Sequence, residues 1–327
     1  MIKKVGSFIV VIALLVAAII YSAMTGSIKV GILDLVQGLF SGTNDQVEVI
    51  KDLRFPRIIV SLLTGAALAV SGVLLQAVMK NPLADAGVIG ISSGAGLVSL
   101  TVVTIFPGLF FWMPLFSFFG GALACYLVYA LSWKSGLSPL RLILVGIAIN
   151  ATFTGLGQSF NYRGSYAVTS VNQAISSIFT MKTWTDVQII GLYGVVGLLL
   201  SLLLSSWCNM LSLQDKTAKN LGLRVTRARL LISVVAVLLA SVATAIGGLI
   251  AFVGLLVPHI ARTLVGSDHK VLIPFSALGG ALLILAADTL GRTVLAPTEI
   301  PASIIMTIIG GPFLIFMLRR SERVYGN

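Results

Sequence analysis

The sequence predicts an all-α polytopic membrane protein of about ten transmembrane helices. Three observations carry that prediction. The chain of 327 residues is 57% hydrophobic and only 10% charged, where a soluble globular domain carries roughly 25% charged residues. Its mean hydropathy is +1.04, too apolar for a single water-soluble core to hide. The apolar runs are long and continuous rather than alternating, and a spanning segment must satisfy its own backbone hydrogen bonds, which selects helices.

A helix needs roughly 20 apolar residues to cross the hydrocarbon. Ten segments qualify, near 7–25, 57–79, 88–106, 114–133, 141–160, 187–207, 229–247, 249–265, 272–290 and 301–318. The first has the build of a signal peptide, with Lys3 and Lys4 before an apolar core, but the spans that follow favour an uncleaved helix. Polar breaks fall at 26–56, 80–87, 107–113, 134–140, 161–186, 208–228, 266–271 and 291–300. The seventh and eighth spans meet at Gly247-Gly248 with almost no loop. No low-complexity linker interrupts the chain, so residues 1–327 read as one transmembrane domain.

Ten spans put both termini on one side. With the N-terminus inside, the inner face holds 15 basic residues, Lys134 among them, and the outer face 7, including Lys29 and Arg163. The inner face then carries the whole formal charge of +11 and the outer face is neutral. This is the positive-inside pattern of a multi-pass protein of the bacterial cytoplasmic membrane, facing anionic lipid rather than nucleic acid. Cys125 and Cys208 lie far apart in apolar runs, which fits packing thiols and neither a disulfide framework nor a metal site.

Four constellations could carry function. The first is Asn81-Pro82-Leu83-Ala84-Asp85, continuing through Gly90 and Ser92 to Gly94. Pro82 ends a helix, Asn81 and Asp85 can satisfy freed backbone groups, and the glycines allow close helix approach. A tight inner loop before a packed helix explains this; a rigid corner at the inner mouth of a pathway is the sharper reading. Gly90-Ile91-Ser92-Ser93-Gly94 also spells G-x-S-x-G, but it opens a membrane helix instead of a strand-to-helix elbow. His259 is the one plausible intramembrane base for Ser92, and nothing in the sequence ties them. In the second, Gly247-Gly248 and Pro258 are expected to break the helix at both ends of a short apolar run containing Gly254. Interrupted helices usually line a cavity or absorb movement. His259 and Arg262, one turn apart, could face together, and snorkelling of Arg262 to the headgroups is the bland alternative.

The third constellation is inner loop 210–229. Leu211, Leu213, Ala218, Leu221 and Leu223 are surrounded by Asp215, Lys216, Lys219, Arg224, Arg227 and Arg229. Gly222 is expected to divide it into two short helices. The loop fits either a basic stretch lying on anionic lipid or a docking surface for a cytoplasmic partner. The fourth is Arg54, Arg57 and Arg292 at the outer mouth, either solvated or paired with acids of an external partner. A faint echo links Gly72-Val-Leu-Leu with Gly254-Leu-Leu-Val. No G-x-x-x-x-G-K-[ST] occurs, so an ATP-driven process would draw its ATPase from another chain.

LRFPR at 53–57, NPLADAGVIGISSGA at 81–95, FVGLLVPHIAR at 252–262, DHKVLIP at 268–274, ADTLGR at 287–292 and EIPASIIMTIIGGPF at 299–313 resemble the FecCD permease family. These are membrane subunits of importers for ferric siderophores, haem and cobalamin, driven by ATP-binding-cassette subunits. One departure is Ala86, where the family more often has proline. The resemblance implies the type II importer permease fold and two permease subunits, identical or paralogous, around a central pathway. It implies that loop 208–228 couples to two cytoplasmic ATPase subunits through Asp215, Lys216, Ala218, Lys219, Leu221, Gly222, Leu223 and Arg224. It implies that Arg54, Arg57 and Arg292 receive a substrate-binding protein. ATP and Mg2+ would belong to the ATPase, with no cofactor, catalytic residue or metal ligand on this chain. The cargo it implies is a ferric chelate, with cobalamin the alternative. The rival of another class, an ion-coupled transporter, needs an intramembrane carboxylate; Asp288 is the only candidate.

Overall fold

The computed structural model describes residues 2–25, 45–132, 139–159 and 179–325. The predicted breaks over 26–44, 134–138 and 161–178, with Lys29, Lys134 and Arg163, lie outside the described residues. In chain order the helices are α1 (Ile2–Met24), α2 (Asp45–Met79), α3 (Ile91–Ile105), α4 (Met113–Ser132), α5 (Pro139–Ser159), α6 (Trp184–Leu203), α7 (Ser205–Leu211), α8 (Asp215–Asn220), α9 (Val225–Gly247), α10 (Val253–Val265), α11 (His269–Val294) and α12 (Ala302–Tyr325). A 3-10 turn, Pro107–Trp112, leads into α4. Among the described residues there is no strand.

Seven of these helices (α1, α2, α4 with its 3-10 turn, α5, α6, α9 and α11) are long and apolar enough to cross a membrane, and α3, α10 and α12 are shorter apolar helices. Together they account for the ten predicted spans. Their bounds differ from prediction where hydropathy is a poor guide. Helix α2 starts at Asp45, not near residue 57, because a helix continues past the hydrocarbon wherever its backbone bonds itself. The loop after α2 runs to Gly90, so α3 starts late, at Ile91.

Two expectations about breaks are corrected. Pro258 does not break its helix; it lies inside α10. Its missing N–H strands the carbonyl of Gly254, and the Gln76 side chain of α2 donates its Nε2–H to that oxygen at 2.9 Å. Spans seven and eight do not meet directly, since residues 248–252 form a non-helical stretch between α9 and α10.

Helix α2 is the axis of the bundle and most of its length is buried, whereas α1 lies at the edge. It runs antiparallel to α11, with Gly65 so close to Gly280 that an added Cβ would sit 2.1 Å from the Gly280 oxygen. On another side Gly72 meets Gly254 of α10, where a Cβ would fall 2.0 Å from the Gly254 oxygen. The two glycines of the sequence echo are thus each other's packing partners. Ser71 ties α2 to α9 by donating to the Ala236 oxygen at 2.7 Å.

Candidate functional site

The three outer arginines predicted to meet a partner converge on one end of the bundle, and their guanidinium groups point inward. Arg57 makes a fork of two bonds to Asp288 of α11, Nε to Oδ2 at 2.9 Å and Nη2 to Oδ1 at 2.8 Å. It also binds Glu299, Nη1 to Oε1 at 3.0 Å, and Thr180 donates to the same Glu299 carboxylate. Burial works to raise the Glu299 carboxyl, but Arg57 and Thr180 outweigh it and hold that group below its ordinary value. Arg54 and Arg292 serve a different purpose. The last carbonyls of α1 have no helical donors; Arg54 Nη1 donates to the Ala23 oxygen at 2.6 Å. Arg292 donates to the oxygens of Thr25 at 2.8 Å and Ser22 at 2.5 Å. Two cations at a helix C-terminus also oppose the negative end of its dipole. This arginine end thus fastens α1, α2 and α11 together, leaving Arg54 and Arg57 only 9% exposed.

The opposite end is built from the predicted loop. It holds the short helix α8 and the end of α7, which begins earlier at Ser205; these two part at Ser212–Gln214, and Gly222 separates α8 from the long α9. Gly222 instead ends α8: its φ is +88, and Leu223 N–H reaches back to the Ala218 oxygen at 3.0 Å while Gly222 N–H binds the Lys219 oxygen at 2.9 Å. That pair of bonds is a Schellman cap, which favours glycine at this position. Ala218 and Leu223 are buried under the cap. Lys216, Lys219, Leu221, Gly222 and Arg224 face outward. Asp215 is taken by neighbours: Lys80 Nζ and Arg229 Nη2 both bind its Oδ1 at 2.9 Å. The Lys80 hydrogen bond foremost, helped by Arg229, holds the Asp215 carboxyl below its usual value.

Sequence reasoning missed Lys80 and Asn209. Lys80 closes α2 with φ +49, Asn81 N–H returning to the Gln76 oxygen at 3.3 Å, and it also binds the Leu213 oxygen at 2.6 Å. Lys80 therefore joins the short helices directly to the Asn81-Pro82 loop. Asn209 of α7 donates to Asp268 at 2.7 Å and accepts from His269 N–H at 2.8 Å, pinning the other short helix to the start of α11. The Asp268 carboxyl lies below its ordinary value, first because of Asn209 and then through the backbone bond from Lys270. A helix-ending lysine before Asn-Pro is a signal one could have read; a cap contributed from 60 residues away is not.

Between the two ends, non-helical backbone meets non-helical backbone. Asn81 Oδ1 accepts from Leu83 N–H at 3.0 Å, making the tight turn around Pro82. Asp85, fully buried, accepts from Phe252 N–H at 3.3 Å, linking the 80–90 loop to the 248–252 stretch. Phe252 holds φ +70, a left-handed conformation unusual for a bulky residue. Gly90 enters α3 with φ +86, and Gly94 packs against the Gly120 backbone of α4. Ser92 is buried in α3, one residue past the helix start. His259 sits edge-on to Phe313 of α12, with ring centroids 5.7 Å apart. Arg262 is half-buried on the next turn of α10.

Among the described residues, ten apolar helices around broken central backbone, with one end clamped and the other carrying a pinned pair of short helices, define a polytopic membrane transport subunit. The chain belongs to the FecCD transport family, whose model matches residues 14–320. It is 41% identical over 321 residues to the "Probable heme-iron transport system permease protein IsdF" of Staphylococcus aureus strain MSSA476, covering 98% of each chain, and equally so to that of strain Newman. Its fold is similar to the structure described as "An inward-facing conformation of a putative metal-chelate type ABC transporter", with a TM-score of 0.80, 28% identity, and coverage of 97% of this chain and 99% of the other. PsaBC from Streptococcus pneumoniae, solved with a Fab, shares the fold at a TM-score of 0.60 and 17% identity, covering 88% and 95%.

Proposed function

We propose that this chain is the permease subunit of an ATP-driven importer that carries a ferric-iron chelate, haem foremost, across a bacterial cytoplasmic membrane. The observation that carries the cargo is the 41% identity to the heme-iron permease relative along the whole chain. On this reading the short-helix end and both termini face the cytoplasm, as the positive charge favours. Two such subunits, identical or paralogous, enclose the pathway. Two ATPase subunits, which hold the ATP and Mg2+, grip the outward-facing Lys216, Lys219, Leu221, Gly222 and Arg224. Their movement reaches the Asn81-Pro82 loop through Lys80 and Asp215. A substrate-binding protein settles on the arginine end; Arg54, Arg57 and Arg292 support that surface by fixing the helix ends beneath it. An importer must bind its partners differently in each state to be driven, and the central loops with their left-handed Phe252 are suitable places for two arrangements.

The ion-coupled rival loses the carboxylate that the sequence offered for it, because both oxygens of Asp288 are engaged by Arg57. Reconstitution with the cognate ATPase and binding protein tests the proposal. Haem is expected to stimulate ATP hydrolysis and ATP-dependent uptake above ferric siderophores and cobalamin. Uptake that follows cobalamin alone, or that persists without ATP and collapses with the ion gradient, overturns it.

A further inference from the structure

We propose that α12 bends at Gly310-Gly311-Pro312 and that Phe252 positions its C-terminal half, the ring seated on Gly310 in one transport state and lifted off it in the other. The two halves of α12 are held differently. At its start, Ile300 N–H bonds the Gly291 oxygen of α11 at 2.8 Å, and Ala302 and Met306 are buried. Past Gly310, none of the side chains described over 311–316 is buried. A soft point lies between the halves. Pro312, inside the helix, lacks the N–H that would bond the Ile308 carbonyl. A Cβ on Gly311 would meet open space, so no neighbour demands glycine there. Glycine and proline are the residues at which helices kink.

Gly310 is a socket. A Cβ there would fall 2.6 Å from both the Cβ and the Cδ2 of Phe252, so Phe252 fills the space that a side chain would take. One turn further along α12, Phe313 meets His259 of α10 edge-on. These two aromatic contacts tie the C-terminal half of α12 to α10. Phe252 is itself poised, because its φ of +70 strains a bulky residue. Such a conformation persists only where the surroundings hold it. Asp85 accepts the Phe252 N–H from one side, and Gly310 admits its ring on the other. Withdrawing Asp85 frees the residue to leave the left-handed region, and the ring then leaves its socket. The route to Asp85 rests on the importer reading: an ATPase that moves α8 pulls on Lys80 through Asp215, and Lys80 opens the loop that carries Asp85.

The test is hydrogen exchange of the permease–ATPase complex in nanodiscs, nucleotide-free and trapped with ATP and vanadate, since exchange reads local opening. The amides of residues 313–316 are expected to differ about 5–30-fold between the two conditions, the population ratio that one left-handed bulky residue sustains. F252G removes ring and strain together, and G310A puts a methyl where the ring sits. Each should abolish the difference, and the two combined should do no more. F252L keeps the Cβ, Cγ and Cδ2 that meet Gly310 and should keep the difference. A purely structural role would speed exchange equally in both conditions and leave their ratio intact, and that result overturns the proposal. So does wild-type α12 that exchanges alike in both. If the α8 amides respond to nucleotide in that case, the importer reading stands; if α8 is silent too, that reading falls with it. Unchanged exchange in α2 verifies that each variant is folded.

Discussion

The two ends of this bundle use ion pairs of the same chemistry in opposite surroundings. At the arginine end, Arg57 and Asp288 are side chains only 11% and 3% exposed, joined by a two-bond fork. At the short-helix end, Asp215 is 43% exposed and shared between Lys80 and Arg229. A buried pair is costly to break because the survivor stays desolvated, whereas a surface pair is screened and contributes little. The first is therefore a fastener and the second an adaptable seam. This division suits a transporter that keeps one end of its helices assembled while the other responds to a moving partner.

The largest expected effect comes from breaking the fastener. Asp288→Ala leaves Arg57 buried with only Glu299 and Thr180, and should destabilise the fold by about 3–5 kcal/mol. Thermal unfolding of the detergent-solubilised protein would measure it, with Asp215→Ala as the reference. Equal losses for the two variants would erase the distinction between the ends. The next effect lies at the centre. Gly254→Ala places a methyl within 2.5 Å of Asp85 and 2.9 Å of the Leu68 oxygen. Helix α10 must move off α2, at a cost of about 1–3 kcal/mol for overpacking, and uptake should fall more steeply than stability as the Asp85–Phe252 link is disturbed.

These central contacts show where the sequence was legible. All ten apolar helices could be read from hydropathy, since hydrocarbon imposes a length and a composition on anything that crosses it. What escaped was decided by pairing at a distance. Pro258 reads as a helix breaker until Gln76, 178 positions from Gly254, supplies the donor that the Gly254 carbonyl lacks. Arg54, Arg57 and Arg292 read as solvated or open to an external partner, because a lone cation gives no sign of the carbonyl or carboxylate within its own chain that awaits it. The short-helix end was more legible, because a Schellman cap is local: Gly222 between Leu221 and Leu223 announces it, although the helix beyond it is the long α9 and not a second short one.

That cap supplies the third comparison. Gly222→Ala forces a side chain into φ +88, costing about 1–2 kcal/mol. The strain is confined to the surface of the short-helix end, so the bundle should unfold at nearly its original temperature. On the proposed function, the ATP hydrolysed per cargo imported should rise. A large drop in thermal stability instead would mean that the seam is as integral to the fold as the fastener.

The smallest effect is in pH. The folded Asp215 carboxyl lies below its ordinary value of 3.8, chiefly through Lys80. A depressed carboxyl contributes stability that is complete above its unfolded value and lost as pH falls through the folded one. Between pH 5 and 8 the seam should therefore be constant, and acid should loosen it only below about pH 4. Hydrogen exchange of the α8 amides, compared between wild type and Lys80→Met, reads this directly. Wild-type α8 should be better protected than the variant at pH 6 and approach it as Asp215 protonates, while the amides around Arg57 stay protected in both. Exchange at α8 that is the same in the two proteins at pH 6 would show that Lys80 does not hold the short helices to the end of α2. Movement at α8 would then need another route to the Asn81-Pro82 loop.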